Sequence, residues 1–353
     1  MSKSASAATA FARIVAIQAA ILVAGLAVVE LVLRLFLPLP PHGGEYRDAN
    51  GNAVRIARDA ETLQPGLNVR HIASEFNAGI RTGEFGYRKM AKESLAPDFL
   101  FLGDSFTFGH GVSDDQVFSD VFCSKRGASC LNLGHSGTDT FDQVRILRHD
   151  IGAHKLRPKT VVLTMLAACW LGAAGNDLGD NLKTWRSRQG SLDLRNYWPP
   201  PVRASLSPPD ALRTLQHWFG NFEITKRLLI VASSGLKRGT YACSPANELE
   251  AAAKATSAAL TELAQLGEQH AFAIRVVVIH PYQDLDGSFR QSEAAVGRAL
   301  PKAAGCIATG AKFRSENYYP YDGHFNASGH ANLAAILDAT IDNASNACAS
   351  GGG

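Results

Sequence analysis

Four short apolar runs, each closed by Gly, Pro or a polar turn, recur along the chain: "DFLFLG" (98–103), "SCLNLG" (129–134), "TVVLTM" (160–165) and "IRVVVIHP" (274–281). Runs of this length without polar alternation suit strands buried on both faces of a parallel sheet. Between them the period changes. "DTFDQVRILRHDIGAHK" repeats its apolar residues at helical spacing, and "NELEAAAKATSAALTELAQLGEQ" is rich in the strongest helix formers. "ASGHANLAAILDATIDNA" predicts a final helix whose start is marked by Asn326 and Ser328. Strand alternating with helix predicts a three-layer α/β/α sandwich with a parallel sheet and right-handed crossovers.

The N-terminal pattern is of another kind. From Ile14 to Leu37 the chain is apolar except for Gln18, Glu30 and Arg34. At helical rise that span is long enough to cross a bilayer, which needs about 20 residues. Lys3 and Arg13 precede it, so the positive-inside tendency puts the N-terminus in the cytoplasm and the rest outside. Glu30 and Arg34, one turn apart, are placed to pair near the outer interface. A cleaved signal peptide is the rival, with Gly25-Leu26-Ala27 as its small-residue site, but the apolar pattern runs well past it. Residues 1–40 therefore read as a cytoplasmic tip and an uncleaved single-pass anchor. A soluble protein beginning with a buried helix is the bland alternative.

Residues 41–67 open with "PHGGEYRDANGN", rich in Pro, Gly and polar residues, and read as a linker. "LNVRHIASEFNAGIRTGEFGYR" alternates well enough for one or two edge strands. The strand–helix alternation then fails from about 183 to 244, where three of the four Trp, "WPPPVRASLSPPD" and the basic, apolar "ITKRLLIVASSGLKRG" fall together. So many aromatics would be costly to leave exposed, and the segment reads as an insertion or lid over the sheet. The main domain spans 68–348.

Composition narrows the function classes. The 353 residues are 46% hydrophobic and 19% charged, ordinary for a globular α/β protein. A net charge of +3, without a dense Lys/Arg run interleaved with aromatics, argues against nucleic acid as partner. Six cysteines without a CxxC fit an exported, disulfide-bonded domain rather than a zinc ribbon or thioredoxin-like site. Cys123 and Cys130 flank a polar turn and form the expected local pair; the pairing of Cys169, Cys243, Cys306 and Cys348 stays open. No HExxH or phosphate-cradling spacing occurs, so neither metal nor nucleotide is implied.

In open parallel sheets, ligands bind outside the carboxyl ends of the strands. The loops expected there carry Gly103-Asp104-Ser105, then "NLGHSGT" (132–138), then "GNDLGDN" (175–181), with "YYPYDGHFNASGH" before the last helix. A Ser hydroxyl becomes a nucleophile when a His removes its proton. A carboxylate on the other ring nitrogen fixes the tautomer and stabilises the imidazolium. The oxyanion needs donors already in place. Ser105, His324 and Asp322 suit the first three roles. The N–H groups of Ser105 and Gly137 and the Asn176 amide suit the oxyanion hole.

These blocks resemble the SGNH, or GDSL-type, hydrolase superfamily: "GDSFTFG" for the Ser block, "NLGHSGT" for the Gly block, "GND" for the Asn block and "DGHFN" for the His block, in the family's order. The resemblance covers roughly Asn68 to Ala347, and the anchor ending "ELVLRLFLP" resembles bacterial extracytoplasmic members. It implies a flavodoxin-like fold, an acyl-serine intermediate, and neither metal nor organic cofactor. The implied substrate is an ester, for an esterase, lipase, thioesterase or carbohydrate deacetylase, or an acyl group carried to polysaccharide in an anchored O-acetyltransferase branch. A non-catalytic carbohydrate-binding protein on the same scaffold has no need of Ser105, His324 and Asn176 together. The implied location is the bacterial cytoplasmic membrane, with the catalytic domain on the periplasmic side.

Two departures from the family pattern matter. Many members place the acid three residues before His, whereas Asp322 stands two before, a spacing that resembles the O-acetyltransferase-like branch. The stretch from "VVLTM" to Asn176 is longer than the compact family block, which makes Asn181 the fallback. The remaining polar residues have blander readings. Asp104 orients its turn, Asn132 braces its loop, Thr107, Gly109 and Gly134 shape turns, Asp177 and Asp180 cap or face solvent, and His330 lies on a helix face. For His110 and His135, loop packing outweighs substrate contact.

Overall fold

A computed structural model of the chain describes residues 2–37, 39, 44–54, 63–173, 175–189, 222–228, 242–343 and 348. Two compact units result: Met1–Gly43 with Pro208–Lys237, and Gly44–Ser207 with Arg238–Gly353.

The larger unit is built on a five-stranded parallel sheet. Its strands are β5 (Phe99–Gly103), β6 (Cys130–Asn132), β7 (Thr160–Leu166), β8 (Ala273–Ile279) and β9 (Ala304–Ala308), in spatial order β6-β5-β7-β8-β9. That is the 2-1-3-4-5 order of doubly wound, flavodoxin-like sheets, whose order reverses beside the first strand. The apolar runs fill both faces because successive side chains point opposite ways. Leu100, Leu102, Leu163 and Val276 pack on one side with residues of α4 (Thr140–His154), α5 (Asp177–Arg188), α6 (Ala246–His270) and α7 (Phe289–Ala299). Phe101, Val162 and Val277 pack on the other with Phe118 and Phe122 of α3 (Phe118–Arg126) and Leu333 and Leu337 of α8 (Ala327–Thr340). The result is three layers. Asn326 caps α8, its side chain accepting from Gly329 N. A short helix, α2 (Ser105–Phe108), follows β5.

A second sheet comes from the segment read as linker and edge strands. Strands β1 (Glu45–Arg47), β2 (Ala53–Val54), β3 (Asn68–Ile72) and β4 (Asn77–Arg81) are antiparallel, in order β2-β1-β3-β4. Residues 45–54 are thus a hairpin rather than linker. Its turn is closed by Asp48, whose Oδ1 accepts from Asn50 N and Asn52 N at 2.9 Å each, the Asx-type bonding that favours such turns. Tyr46 stacks on His71 of β3 at 4.3 Å between centroids.

All six cysteines are paired: Cys123–Cys130, Cys169–Cys243 and Cys306–Cys348. In the smaller unit, α1 (Ser2–Phe36) contains a 24-residue stretch, Arg13–Phe36, long and apolar enough to cross a membrane. Near its end Glu30 accepts from Arg34 Nε at 2.6 Å and from the backbone of Glu223 and Ile224 at 2.9 and 3.1 Å. Most of the insertion expected at 183–244 lies outside the described residues; its residues 222–228 belong with α1 in the smaller unit.

Candidate active site

The stretch that closes β5 turns at once into α2, with Ser105 as the first helical residue. Asp104 caps this turn, its Oδ1 accepting from Phe106 N at 2.9 Å. The loop after β6 is tied alongside: His135 N donates to Gly103 O at 2.9 Å, and Asn132 Nδ2 donates to Thr107 O at 2.7 Å. A Cβ on Gly134 would lie 2.3 Å from Phe108 N, so only glycine admits this close approach.

On Ser105 converges the turn before α8. His324 Nε2 and Ser105 Oγ are 2.7 Å apart, and His324 Nδ1 lies 2.5 Å from Asp322 Oδ1. Since an ionised carboxylate only accepts, Nδ1 carries the proton and Nε2 is left to accept from the hydroxyl. Asp322 reaches the ring across two residues because Gly323 has φ 91°, a left-handed conformation that curls the backbone back. The turn is clamped from outside: Glu75, in the β3–β4 connection, accepts from Tyr321 N at 2.8 Å and Asp322 N at 2.6 Å. Burial opposes ionisation of Asp322, but the hydrogen bonds from His110 and His324 outweigh it and hold its carboxyl well below the usual carboxylate range.

The oxyanion candidates stand differently. Gly137 has φ 79°, with open space where a Cβ would stand. Among the described residues, neither Ser105 N nor Gly137 N donates an internal hydrogen bond. The Asn176 side chain is engaged elsewhere. It is fully buried, its Oδ1 accepts from Ala168 N at 3.1 Å, and its Nδ2 donates to Ala168 O at 3.1 Å and Trp170 O at 3.0 Å. Both amide hydrogens therefore brace the 168–170 loop in this conformation. Asn181, the fallback, is likewise spent, accepting from Thr140 N and donating to Thr140 Oγ1 and Thr256 Oγ1. The extra residues between β7 and Asn176 give the Asn176 amide a loop of its own to hold.

Of the other polar residues, His330 is buried, with Nδ1 accepting from Phe118 N, and burial pushes its pKa down to about 3. Sequence reasoning missed Glu75 and the position of His110, whose Nε2 lies 3.4 Å from Asp322 Oδ2. Glu75 sits in "ASEFN", a connection with no motif, so no local signal marked it. His110, Asp322 and His324 bring ligand-type atoms within 4.8 Å of one another. Of these, His324 bonds Ser105 Oγ and Asp322 Oδ1, while His110 Nε2 stands beside the other Asp322 oxygen without closing a hydrogen bond.

Behind Ser105, Asp104 and Asp177 form a buried pair. Asp177 Oδ2 accepts from Leu166 N at 2.7 Å, while Asp177 Oδ1 and Asp104 Oδ2 have no partner among the described residues. Burial pushes the Asp104 carboxyl up to about 7, and burial together with the nearby Asp104 charge pushes Asp177 well above the ordinary range. With the folded-state pKa above the unfolded one, the native state binds extra protons between about pH 4 and pH 7. Stability is therefore lost as pH rises through that window. Denaturant unfolding at pH 5 and pH 8 is expected to show Asp104→Asn losing less than the wild type, by on the order of 2 kcal/mol. Parallel losses in the two proteins would mean that Asp104 binds no extra proton in the folded state.

Fold and geometry define a class: a doubly wound α/β protein with a Ser–His–Asp hydrogen-bonded chain at the carboxyl edge of its sheet. No protein-family model and no curated protein matches the chain. Among solved structures, the chain is similar in fold to a member of the lipolytic G-D-S-L family from Veillonella parvula, at 9% identity over 69% of this chain and 98% of that one, TM-score 0.34. It is also similar to a G-D-S-L family protein from Desulfitobacterium hafniense, at 12% identity over 68% and 97%, TM-score 0.37. An acetylxylan esterase from Geobacillus stearothermophilus matches at 14% identity over 70% and 94%, TM-score 0.29.

Proposed function

We propose that the protein is a membrane-anchored serine ester hydrolase of the SGNH type, acting through an acyl-Ser105 intermediate. The observation that carries this reading is the chain Ser105 Oγ–His324 Nε2 at 2.7 Å and His324 Nδ1–Asp322 Oδ1 at 2.5 Å. His324 takes the Ser105 proton as Oγ attacks the ester carbonyl, and Asp322 stabilises the imidazolium. His324 then gives that proton to the leaving alcohol. Water, deprotonated by the same imidazole, releases the acid. The uncommitted N–H groups of Ser105 and Gly137 serve as oxyanion donors, and Asn176 serves by holding the 168–170 loop. Three disulfides and a span-length apolar helix support an extracytoplasmic catalytic domain on a single-pass anchor.

The test is covalent trapping. Full-length protein in detergent is mixed with p-nitrophenyl acetate, quenched in acid and digested for mass spectrometry. One acetyl group on the peptide holding Ser105 is expected. Turnover without acetylation there would remove the acyl-enzyme and with it the hydrolase reading. Repeating the reaction with oligosaccharide acceptors decides whether water or a sugar hydroxyl discharges the acyl group, the second outcome making the protein an O-acyltransferase.

A further inference from the structure

Asp322 has two oxygens, and the proposed relay uses one. The other faces His110 Nε2 at 3.4 Å, and the His110 ring stacks on His324 with centroids 4.2 Å apart and planes 27° from parallel. Two imidazoles thus lie side by side on one carboxylate. The position of His110 is itself heavily constrained. Its N–H donates to Ser105 O at 3.0 Å. The fully buried Arg88 donates to Phe108 O at 3.1 Å, Gly109 O at 3.2 Å and Val112 O at 2.7 Å, and pairs with Asp114 at 2.7 Å. Tyr319 Oη donates to Gly111 O at 2.9 Å. His71 and Phe76 meet the His110 ring edge-on at 4.6 and 5.4 Å. A buried guanidinium and a tyrosine hydroxyl hold this loop on both sides of one ring.

We propose that His110 is a positioning residue, a second imidazole that fixes the free oxygen of Asp322 and must remain neutral for His324 to act as base. The inference rests on the hydrolase reading of the Ser105 site and deepens it. His110 Nε2 stands 3.4 Å from Asp322 Oδ2 without closing a hydrogen bond in this conformation, and a neutral His110 that donates its Nε2–H to that oxygen as the relay tightens would hold the carboxylate against rotation away from His324. Protonated His110 would set a second cation against the imidazolium that forms at His324 during acylation. That like-charge contact raises the barrier at the moment His324 becomes charged. Burial and the nearby His324 charge favour the neutral ring, against the pull of Asp322. The charged and titratable groups facing His110 are Asp322, His324, His71 and Arg88, with Glu75 of the β3–β4 connection bonded to Asp322 N and Tyr319 of the His324 turn bonded to Gly111 O.

The experiment compares full-length wild type, His110→Phe and His110→Gln in detergent, by kcat and KM for p-nitrophenyl acetate across the acid limb. Phe keeps the stacked ring and removes the donor. Gln keeps a donor and removes the titration. His110→Phe is expected to lower kcat by about tenfold with KM within about twofold, the scale of a lost hydrogen bond to a charged group. His110→Gln is expected to recover most of that loss. In the wild type, proton binding at His110 steepens the acid limb; in His110→Gln that added steepness is absent. Wild-type slope in His110→Gln, or wild-type kcat in His110→Phe, overturns the proposal. Acetylation of Ser105 in the wild type, followed alongside, separates that outcome from failure of the hydrolase reading, in which no acyl-enzyme forms at all.

Discussion

Replacing Ser105 by Ala is expected to abolish ester cleavage, with kcat for p-nitrophenyl acetate falling by a factor on the order of 10⁴ or more. The substitution deletes one oxygen. Among the described residues that oxygen bonds only to His324. The cap of α2 is made by Asp104 and the loop ties by His135 and Asn132, none of which uses the Ser105 hydroxyl. Folding should therefore be untouched, and circular dichroism and the unfolding midpoint serve as controls. Residual activity within tenfold of the wild type would mean that His324 or water attacks directly, and the acyl-enzyme would be gone from the mechanism.

Asp322→Asn should be nearly as damaging, lowering kcat by about 10⁴. An Asn at this position can donate where the carboxylate accepted, which turns the His324 tautomer over and leaves Nε2–H pointing at Ser105. A protonated Nε2 cannot take the hydroxyl proton. The same substitution carries a thermodynamic signature. The folded-state pKa of Asp322 is depressed, the bonds from His110 and His324 outweighing burial. Its contribution to stability is thus complete above the unfolded carboxylate pKa, near 4, and is lost only as pH falls through the lower folded value. Wild type and Asp322→Asn are expected to differ by a constant amount in unfolding free energy from pH 5 to pH 8, with the gap closing in acid. A variant retaining a tenth of wild-type kcat would show that His324 works without its carboxylate.

The parallel sheet was legible because its strands say one thing at every level. β5, β7 and β8 are unbroken apolar runs bounded by turn residues, and only burial on both faces explains them. β9 carried no such signal, since "AGCIA" has one β-branched residue and two alanines, and packing against β8 makes it a strand. Residues 45–54 resembled linker because Asp48, Gly51 and Asn52 belong to a tight turn, and turn residues have the composition of loops. At the site, Ser105, Asp322 and His324 could be read from motifs because each lies in a short local pattern that the chemistry requires. The commitment of Asn176 to Ala168 and Trp170 could not, since it depends on how the chain returns from Ala168 to Asn176. Nor could the clamp from Glu75, which lies 247 positions before Asp322.

The Asp-Gly-His turn has a consequence for how the proposed relay can be switched. In a relay whose acid and base come from different elements, any hinge between them breaks the base's support. Here acid and base share a single curl of backbone, closed by Gly323 N donating to Tyr319 O at 2.9 Å and Tyr319 N donating to His324 O at 2.8 Å. Carboxylate and imidazole therefore travel as one body. A displacement of that curl would part the imidazole from the Ser105 hydroxyl while leaving the ring's orientation toward its carboxylate intact, an idle state ready to re-engage without re-forming its internal bond.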